Sequence, residues 1–372
     1  MRKTRIVVKS SAGQYAVLCG AGVLRRAANE IRKLGRFSSV HLVSSPKVWR
    51  AVGKSVQKAL RLKTASGVHL FNDAETAKNL RTVEKIARSL SRAGADRKSL
   101  IIAVGGGVVG DVAGFVAAAY LRGVALVQVP STLVAQVDSA LGGKTGVDLP
   151  EGKNLIGAFY PARLVLADSH TLKKLPDRQF RGGLAEVIKY GIIADAKLFA
   201  YLEKNFENVL RRDPTALKYI IHRSVEIKAD VVSRDERESG LREILNFGHT
   251  FGHALESVTK YKRYQHGEAV AWGMMAAALL GHEAGVTRAD DVSRIVTLVR
   301  RMGPLPAWPR VPAKKLIAAM QSDKKTRGGK LRFVLTSRIG NARSYDNVPL
   351  DSVERILHFA PHFFDGSGKP RG

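Results

Sequence analysis

A single cysteine, Cys19, leaves this 372-residue chain with no intrachain disulfide to form. It stands in an alternation with Tyr15 and Val17 that reads as a strand, and a reducing compartment suits it. Long apolar runs are also lacking: the longest, Ala269 to Gly281, falls short of the ~20 residues that cross a bilayer. The basic start, Met1 to Ser10, has no apolar core, so neither a signal peptide nor a membrane helix is expected and the location reads as cytoplasmic. Internal repeats and low-complexity tracts are missing, which excludes solenoids and disordered arrays. Acidic residues are few, 32 Asp+Glu against 61 Lys+Arg, for a formal net charge of +29.

That excess invites a nucleic-acid reading, because Lys and Arg neutralise phosphates. The cations spread along the whole chain, however, without a long block or the aromatic and basic interleaving of an RNA-binding sheet. Neither a nucleic acid nor a membrane is expected as a partner. A solvated basic surface is, with a few lysines reserved for an anionic substrate. At 45% hydrophobic and 25% charged residues the composition is globular. At roughly 100–200 residues per domain, the length predicts two domains.

The first half alternates β-rich runs with helical stretches. Strands are predicted at Thr4–Val8, Tyr15–Cys19, Ser39–Ser44, Val68–Phe71, Leu100–Val104, Ala125–Val129 and Arg163–Ala167. Helical patterns such as Gly22–Leu34 and Glu75–Ala93 supply the crossovers that parallel strands need. Residues 1–170 therefore read as an α/β domain with a doubly wound parallel sheet. From 171 to 372 the pattern becomes mostly α-helical, with helices at Asp177–Tyr190, Asp195–Asn205, Thr215–Arg234, His249–Thr259, Glu268–Ala284 and Asp290–Met302. Pro176, Pro214 and the four prolines of Gly303–Pro312 punctuate them, and Lys330–Leu335 reads as a short strand.

Three segments carry chemistry. The predicted strand at Leu100–Val104 runs into Gly105, Gly107 and Gly110, a G-x-G-x-x-G between strand and helix that suits a pyrophosphate at a helix amino terminus. The acid that holds a ribose hydroxyl ~20 residues further on in ordinary dehydrogenases is missing. A tight strand–helix turn is the competing account. The second segment runs from Asn246 through His249, His253 and Glu256 to His266 and Glu268. On a helix His249 and His253 share a face, and three histidines with nearby carboxylates suit a zinc site or catalysis. Thr250 stands where a metalloprotease helix needs its glutamate, which removes that reading. The third places Lys144 and Lys153 in glycine-rich loops without P-loop spacing, suiting phosphate but not ATP hydrolysis.

Taken in order, these segments resemble 3-dehydroquinate synthase, a lyase of the shikimate pathway to aromatic amino acids, from about Val40 to about Leu335. The matching stretches are Gly105–Phe115, Arg122-Gly123, Pro130–Leu133, Asp138, Gly142–Thr145, Gly152–Phe159, Gly183–Tyr190, Asp235–Arg242, Leu245–Glu256, His266–Val270 and Asp323-Lys324-Lys325. Most belong also to the wider sugar-phosphate cyclases. The resemblance implies an NAD- and metal-dependent homodimer, with zinc or cobalt, that converts 3-deoxy-D-arabino-heptulosonate 7-phosphate to 3-dehydroquinate and phosphate. The nucleotide would bind the first domain, and metal and substrate the second.

By motif position the resemblance implies Glu186, His249 and His266 as metal ligands, and His253, Glu238 and Lys189 as catalytic groups. Cofactor contacts fall to Asp73, Glu75, Lys78, Gly107, Val108, Val109, Gly110, Asp111, Ser131, Thr132, Lys153, Thr171, Leu172, Lys173 and Lys174. Substrate contacts fall to Asp138, Lys144, Asn154, Lys228, Arg242, Asn246 and Lys324, and to Arg122 reaching into the neighbouring subunit. Three departures stand out: Ser44-Ser45-Pro46 where the family often has an acid, Asp148 for an Asn, and Ser131 for the first Thr of Pro-Thr-Thr. They bear on cofactor affinity more than on chemistry. The rival readings are another sugar-phosphate cyclase, a metal-dependent polyol dehydrogenase and, from another class, a basic nucleotide- or nucleic-acid-binding protein.

Overall fold

The structure, a computed structural model, describes residues 5–61, 67–324 and 331–364. Thr4 and Lys330, each the first residue of a predicted strand, and Lys325 lie outside the described residues. The chain divides into two compact units, Met1–Phe180 with Arg212–Arg237, and Arg181–Arg211 with Glu238–Gly372.

Its strands are β1 (Arg5–Ser10), β2 (Gly13–Gly20), β3 (Val40–Ser44), β4 (Gly67–Leu70), β5 (Leu100–Gly105), β6 (Ala125–Pro130), β7 (Lys144–Leu149), β8 (Gly152–Phe159), β9 (Leu164–Asp168), β10 (Phe333–Arg338) and β11 (Asn341–Tyr345). The helices of the first half are α1 (Ala27–Arg32), α2 (Pro46–Leu60), α3 (Leu80–Arg92) and α4 (Gly107–Ala119). Those that follow are α5 (Asp177–Ala194), α6 (Ala196–Leu210), α7 (Pro214–Arg234), α8 (His249–Val258), α9 (His266–Glu283), α10 (Ala289–Arg300), α11 (Ala313–Lys324) and α12 (Leu350–Phe364).

In the first unit seven strands form one sheet, ordered β1-β2-β9-β6-β5-β3-β4. They are the seven read from the sequence. From β2 to β4 every pairing is parallel. The β1 edge departs from the expected parallel sheet: it runs antiparallel to β2, from Arg5↔Leu18 to Ser10↔Gly13. Only Ser11 and Ala12 separate the two strands, too little for the crossover that a parallel pair requires. One face of the sheet buries Leu18, Leu42, Ile102, Val104, Val127 and Leu166 against Leu24, Ile31, Val52, Val56 and Leu60. Cys19 is buried in β2, and burial pushes its thiol up to about 12, so it is inert at neutral pH.

The division differs from the boundary expected after residue 170. Helix α7 packs on β1 and β2 and so belongs to the first unit, although the sequence gives it a helical neighbourhood. The β7–β8 hairpin was not foreseen, because its glycines and lysines break the apolar alternation. Those glycines are what the pairing needs: a Cβ on Gly157 would lie 2.2 Å from the Thr145 carbonyl oxygen.

His41 and His69 sit inside this unit, with His41 Nδ1 3.2 Å from His69 Nε2 and the Ser89 hydroxyl 2.7 Å from His69 Nδ1. Burial, helped by His41, pushes His69 down to about 4. A histidine depressed in the folded state favours folding above its unfolded pKa and loses that contribution as pH falls through the folded one. The stability of the native chain is therefore expected to fall between pH 6.5 and 4. His69→Gln should remove about 3 kcal/mol of that slope, the equivalent of the shift from 6.5 to about 4. Denaturant titrations at several pH values measure it, and equal slopes in the two proteins would refute the assignment.

The second unit is helical, with a β10–β11 hairpin. Its predicted helices form; α11, α12 and β11 are additions to that reading, although Val353, Ile356, Leu357 and Ala360 of α12 recur at helical spacing and are buried. Helix α9 is apolar nearly all round because other elements surround it. Bare backbone sets its closest approaches. A Cβ on Gly273 would lie 1.9 Å from the Gly248 carbonyl oxygen, and one on Gly267 would lie 2.0 Å from that of Gly182. These two contacts hold the start of α8 against α9 two turns in, and the start of α9 against the Gly182 turn of α5, close to the histidines and Glu186.

Candidate active site

Helix α5 carries Glu186 and, one turn on, Lys189, whose ammonium contacts the Glu186 carboxylate; both side chains are buried. Helix α8 begins at His249, after Gly248 takes a left-handed φ of 78°. His266 is the first residue of α9, whose start is fixed by a capping box in which the Glu268 carboxylate accepts from the Gln265 N–H at 2.8 Å.

These starts aim three side chains at one point. His249 Nε2 is 3.7 Å and His266 Nε2 3.6 Å from Glu186 Oε1. Candidate ligand atoms of all three lie within 4.8 Å of one another. The outer nitrogens are held as well. His249 Nδ1 is 3.2 Å from the Phe247 carbonyl oxygen, and His266 Nδ1 is 3.2 Å from Glu256 Oε2. Each ring thereby presents Nε2 inward, the arrangement that metal-binding histidines adopt. Burial and Lys189 hold His249 well below the usual imidazole range, in its neutral, ligating form. Burial opposes charge on His266 too, but Glu186 and Glu256 outweigh it and hold the ring protonated up to about 10, a proton that a cation would displace. One carboxylate and two imidazoles suit zinc or cobalt.

His253 lies one turn beyond His249 on α8, the two rings 5.4 Å apart and edge to face. It lies outside this trio but shares a second one with Glu256 and His266. Upstream, Glu238 takes a left-handed φ of 60° and accepts from Asn246 Nδ2 at 2.6 Å. Arg242 is 2% exposed. The Lys324 side chain lies outside the described residues.

In the first unit the cofactor candidates follow the carboxyl ends of the parallel strands, where open α/β sheets bind ligands. Asp73, Glu75 and Lys78 follow β4, Gly107–Asp111 follow β5, Ser131 and Thr132 follow β6, and Thr171–Lys174 follow β9. Helix α4 starts at Gly107 without a side-chain cap on its first N–H groups, the groups that a pyrophosphate would take. A Cβ on Gly105 would lie 2.4 Å from Val109, so close strand–helix packing also needs this glycine. Thr171 is fixed by its own bond to the Asp168 carbonyl at 2.8 Å and by Gln136 Nε2 at 3.0 Å.

Cofactor and substrate candidates meet at Lys78. Its ammonium is 2.6 Å from Asp111 Oδ2 and also contacts Asn154 Oδ1. Burial raises Asp111 to about 6 against the pull of Lys78. Lys153 pairs with Glu75 at 3.1 Å, and Asp148 Oδ1 accepts from the Asn154 N–H at 2.8 Å, so the Asp148 departure closes the hairpin turn. The Ser44 hydroxyl donates to the Val104 carbonyl at 2.7 Å while Ser45 caps α2, giving that departure a structural role. Elsewhere Lys228 Nζ is 2.8 Å from Asp138 Oδ1, which lies on a π-turn. Lys144 is exposed at the start of β7.

The N-terminal 3-dehydroquinate synthase family model matches residues 68–182, and the C-terminal one residues 183–326. A relative named 3-dehydroquinate synthase, from Solibacter usitatus, is 46% identical over 326 residues, 88% of this chain and 90% of its own. The chain belongs to the 3-dehydroquinate synthase family. Among solved structures, 2-epi-5-epi-valiolone synthase from Streptomyces hygroscopicus, with NAD+ and Zn2+ bound, superposes with a TM-score of 0.86 at 27% identity, covering 94% of this chain and 97% of that one. A 2-deoxy-scyllo-inosose synthase complexed with carbaglucose-6-phosphate, NAD+ and Co2+ gives 0.83 at 28%, covering 95% and 99%.

Within the 3-dehydroquinate synthase family reading, two features of the site escaped the sequence. Glu256 was legible only as a carboxylate near His249 and His253 at the next turn, since its contact with His266 crosses between helices. The Gln265–Glu268 capping box had a signal, a Gln with Glu three residues on, that was not used.

Proposed function

We propose that this chain is a 3-dehydroquinate synthase, converting 3-deoxy-D-arabino-heptulosonate 7-phosphate to 3-dehydroquinate and phosphate with NAD and a divalent metal, zinc or cobalt. The convergence of Glu186, His249 and His266 within 4.8 Å, in a member of this family, carries the reading. The reaction oxidises a hydroxyl, eliminates phosphate, restores the hydroxyl, opens the ring and closes a carbocycle by aldol addition. Bound at these residues, the ion supplies Lewis acidity and the nucleotide a reversible hydride sink.

The two units supply different parts of this chemistry. In the second, His253 moves protons at its imidazole, within reach of the metal trio. Asn246, tied to Glu238, offers its amide to the phosphate end, and Glu238 acts as the second acid–base group. Lys189, in contact with the Glu186 carboxylate, orients it. Arg242 is a buried cation suited to the substrate carboxylate. In the first, Gly107–Asp111, Ser131, Thr132 and Thr171–Lys174 form the nucleotide cradle, and Lys144, Asn154, Asp138 and Lys228 bind substrate. Lys324 completes the phosphate set.

A homodimer in which Arg122 is donated across the interface fits the corner at Leu121 and Arg122, both exposed and at left-handed φ values of 50° and 65°. No helix among the described residues is long and apolar enough to cross a membrane. The need for NAD supports a cytoplasmic location.

The test is phosphate release from the heptulosonate phosphate, with and without NAD and with and without a chelator. Release should require both cofactors, and no NADH should accumulate. Release only from glucose 6-phosphate or sedoheptulose 7-phosphate would move the chain to a sister cyclase, and net NADH formation from a polyol would make it a dehydrogenase.

A further inference from the structure

Glu256 takes no part in the chemistry above, yet its carboxylate is 4% exposed and lies 3.2 Å from His266 Nδ1. It sits one turn beyond His253 on α8, and its own carbonyl accepts from the Tyr261 N–H at 2.8 Å, so the helix end that carries it is fixed. His266 is differently placed: it opens α9 and its side chain is 39% exposed. The Glu256 contact at Nδ1 is therefore one of the few that bear on how the ring is turned.

The orientation matters because His266 belongs to two overlapping trios. Ligand atoms converge within 4.8 Å both for Glu186, His249 and His266 and for His253, Glu256 and His266. A neutral imidazole offers a lone pair from only one nitrogen. With the proton on Nδ1, the lone pair is on Nε2 and faces Glu186; with the proton on Nε2, Nδ1 faces Glu256 and a bound cation takes up His253.

We propose that Glu256 is a positioning residue: by accepting the Nδ1–H of His266 it commits Nε2 to Glu186 and His249, fixes where the metal binds and keeps His253 out of the ligand set. This rests on the metal-dependent reading above.

The experiment measures Zn2+ affinity by competition with a chromophoric chelator on metal-stripped wild type, Glu256→Ala, Glu256→Gln and Glu256→Asp. Wild type should bind one equivalent. Glu256→Ala should bind one equivalent roughly 10–100-fold more weakly. Glu256→Gln, whose amide oxygen still accepts Nδ1–H, should recover most of the loss. Should Glu256→Ala not fold, Glu256→Asp, with a carboxylate drawn back by one methylene, should show the same weakening. At saturating Zn2+ the variants should regain kcat to within a few-fold, which damage to the fold would not allow. Equal affinities in wild type and the Ala or Asp variants would overturn the proposal, as would two equivalents in wild type and one in Glu256→Ala, since Glu256 would then be a ligand. A wild type that binds no divalent metal would instead overturn the metal-dependent reading itself.

Discussion

His266→Ala and His249→Ala should purify without stoichiometric metal and without turnover, whereas His253→Ala should keep its metal and lose kcat roughly 10²–10⁴-fold, the usual worth of a positioned proton-transfer group. The asymmetry is notable because all three imidazoles crowd together, at 5.3 Å for His249 and His266 and 6.0 Å for His253 and His266. Proximity does not separate them. Direction does: Nε2 of His249 and of His266 both face Glu186 Oε1, and His253 shares a trio only with Glu256 and His266. Removing His266 leaves one imidazole and one carboxylate, too few protein ligands for a three-ligand catalytic site. Metal analysis of the three purified variants decides it. Wild-type metal content in His266→Ala would remove it from the ligand set, and loss of metal in His253→Ala would show that the second trio holds the ion.

The seven sheet strands were legible because each is a compact apolar run, and the helices of the second unit because their apolar positions recur at helical spacing. What was not legible depended on contacts between distant segments. Helix α7 reads as one more helix, and nothing local says that it packs on β1 and β2. The β7–β8 hairpin hides because Gly146 and Gly157 are chosen for backbone approach and not for apolar alternation. The histidines of the site could be picked out at once, since three of them with a conspicuous pattern of glycines fall within His249–His266. Their division into ligands and acid–base group came only from the resemblance; the structure adds that His249 Nε2 and His266 Nε2 both lie toward Glu186 Oε1. Lys78 shows the reverse: assigned to the nucleotide, it also holds Asn154, assigned to the substrate, and so ties the two sets in one unit.

Arg242→Gln should separate substrates and not merely slow the enzyme. Arg242 is among the largest fully buried side chains, and a buried guanidinium is suited to a planar carboxylate through paired N–H donors. Losing one partner of such a desolvated pair costs about 2–5 kcal/mol, so kcat/KM for the heptulosonate phosphate should fall roughly 30- to 4,000-fold. A seven-carbon sugar phosphate lacking the carboxylate offers the same arginine no such group in the wild type, so its kcat/KM should change little. The ratio of the two kcat/KM values, measured in wild type and variant, reads the effect independently of any general loss of activity. An equal fall for both substrates would mean that Arg242 supports the fold or the phosphate end, and the preference for a carboxylate would have to be sought at Lys228, 6% exposed and paired with Asp138 at 2.8 Å in the first unit.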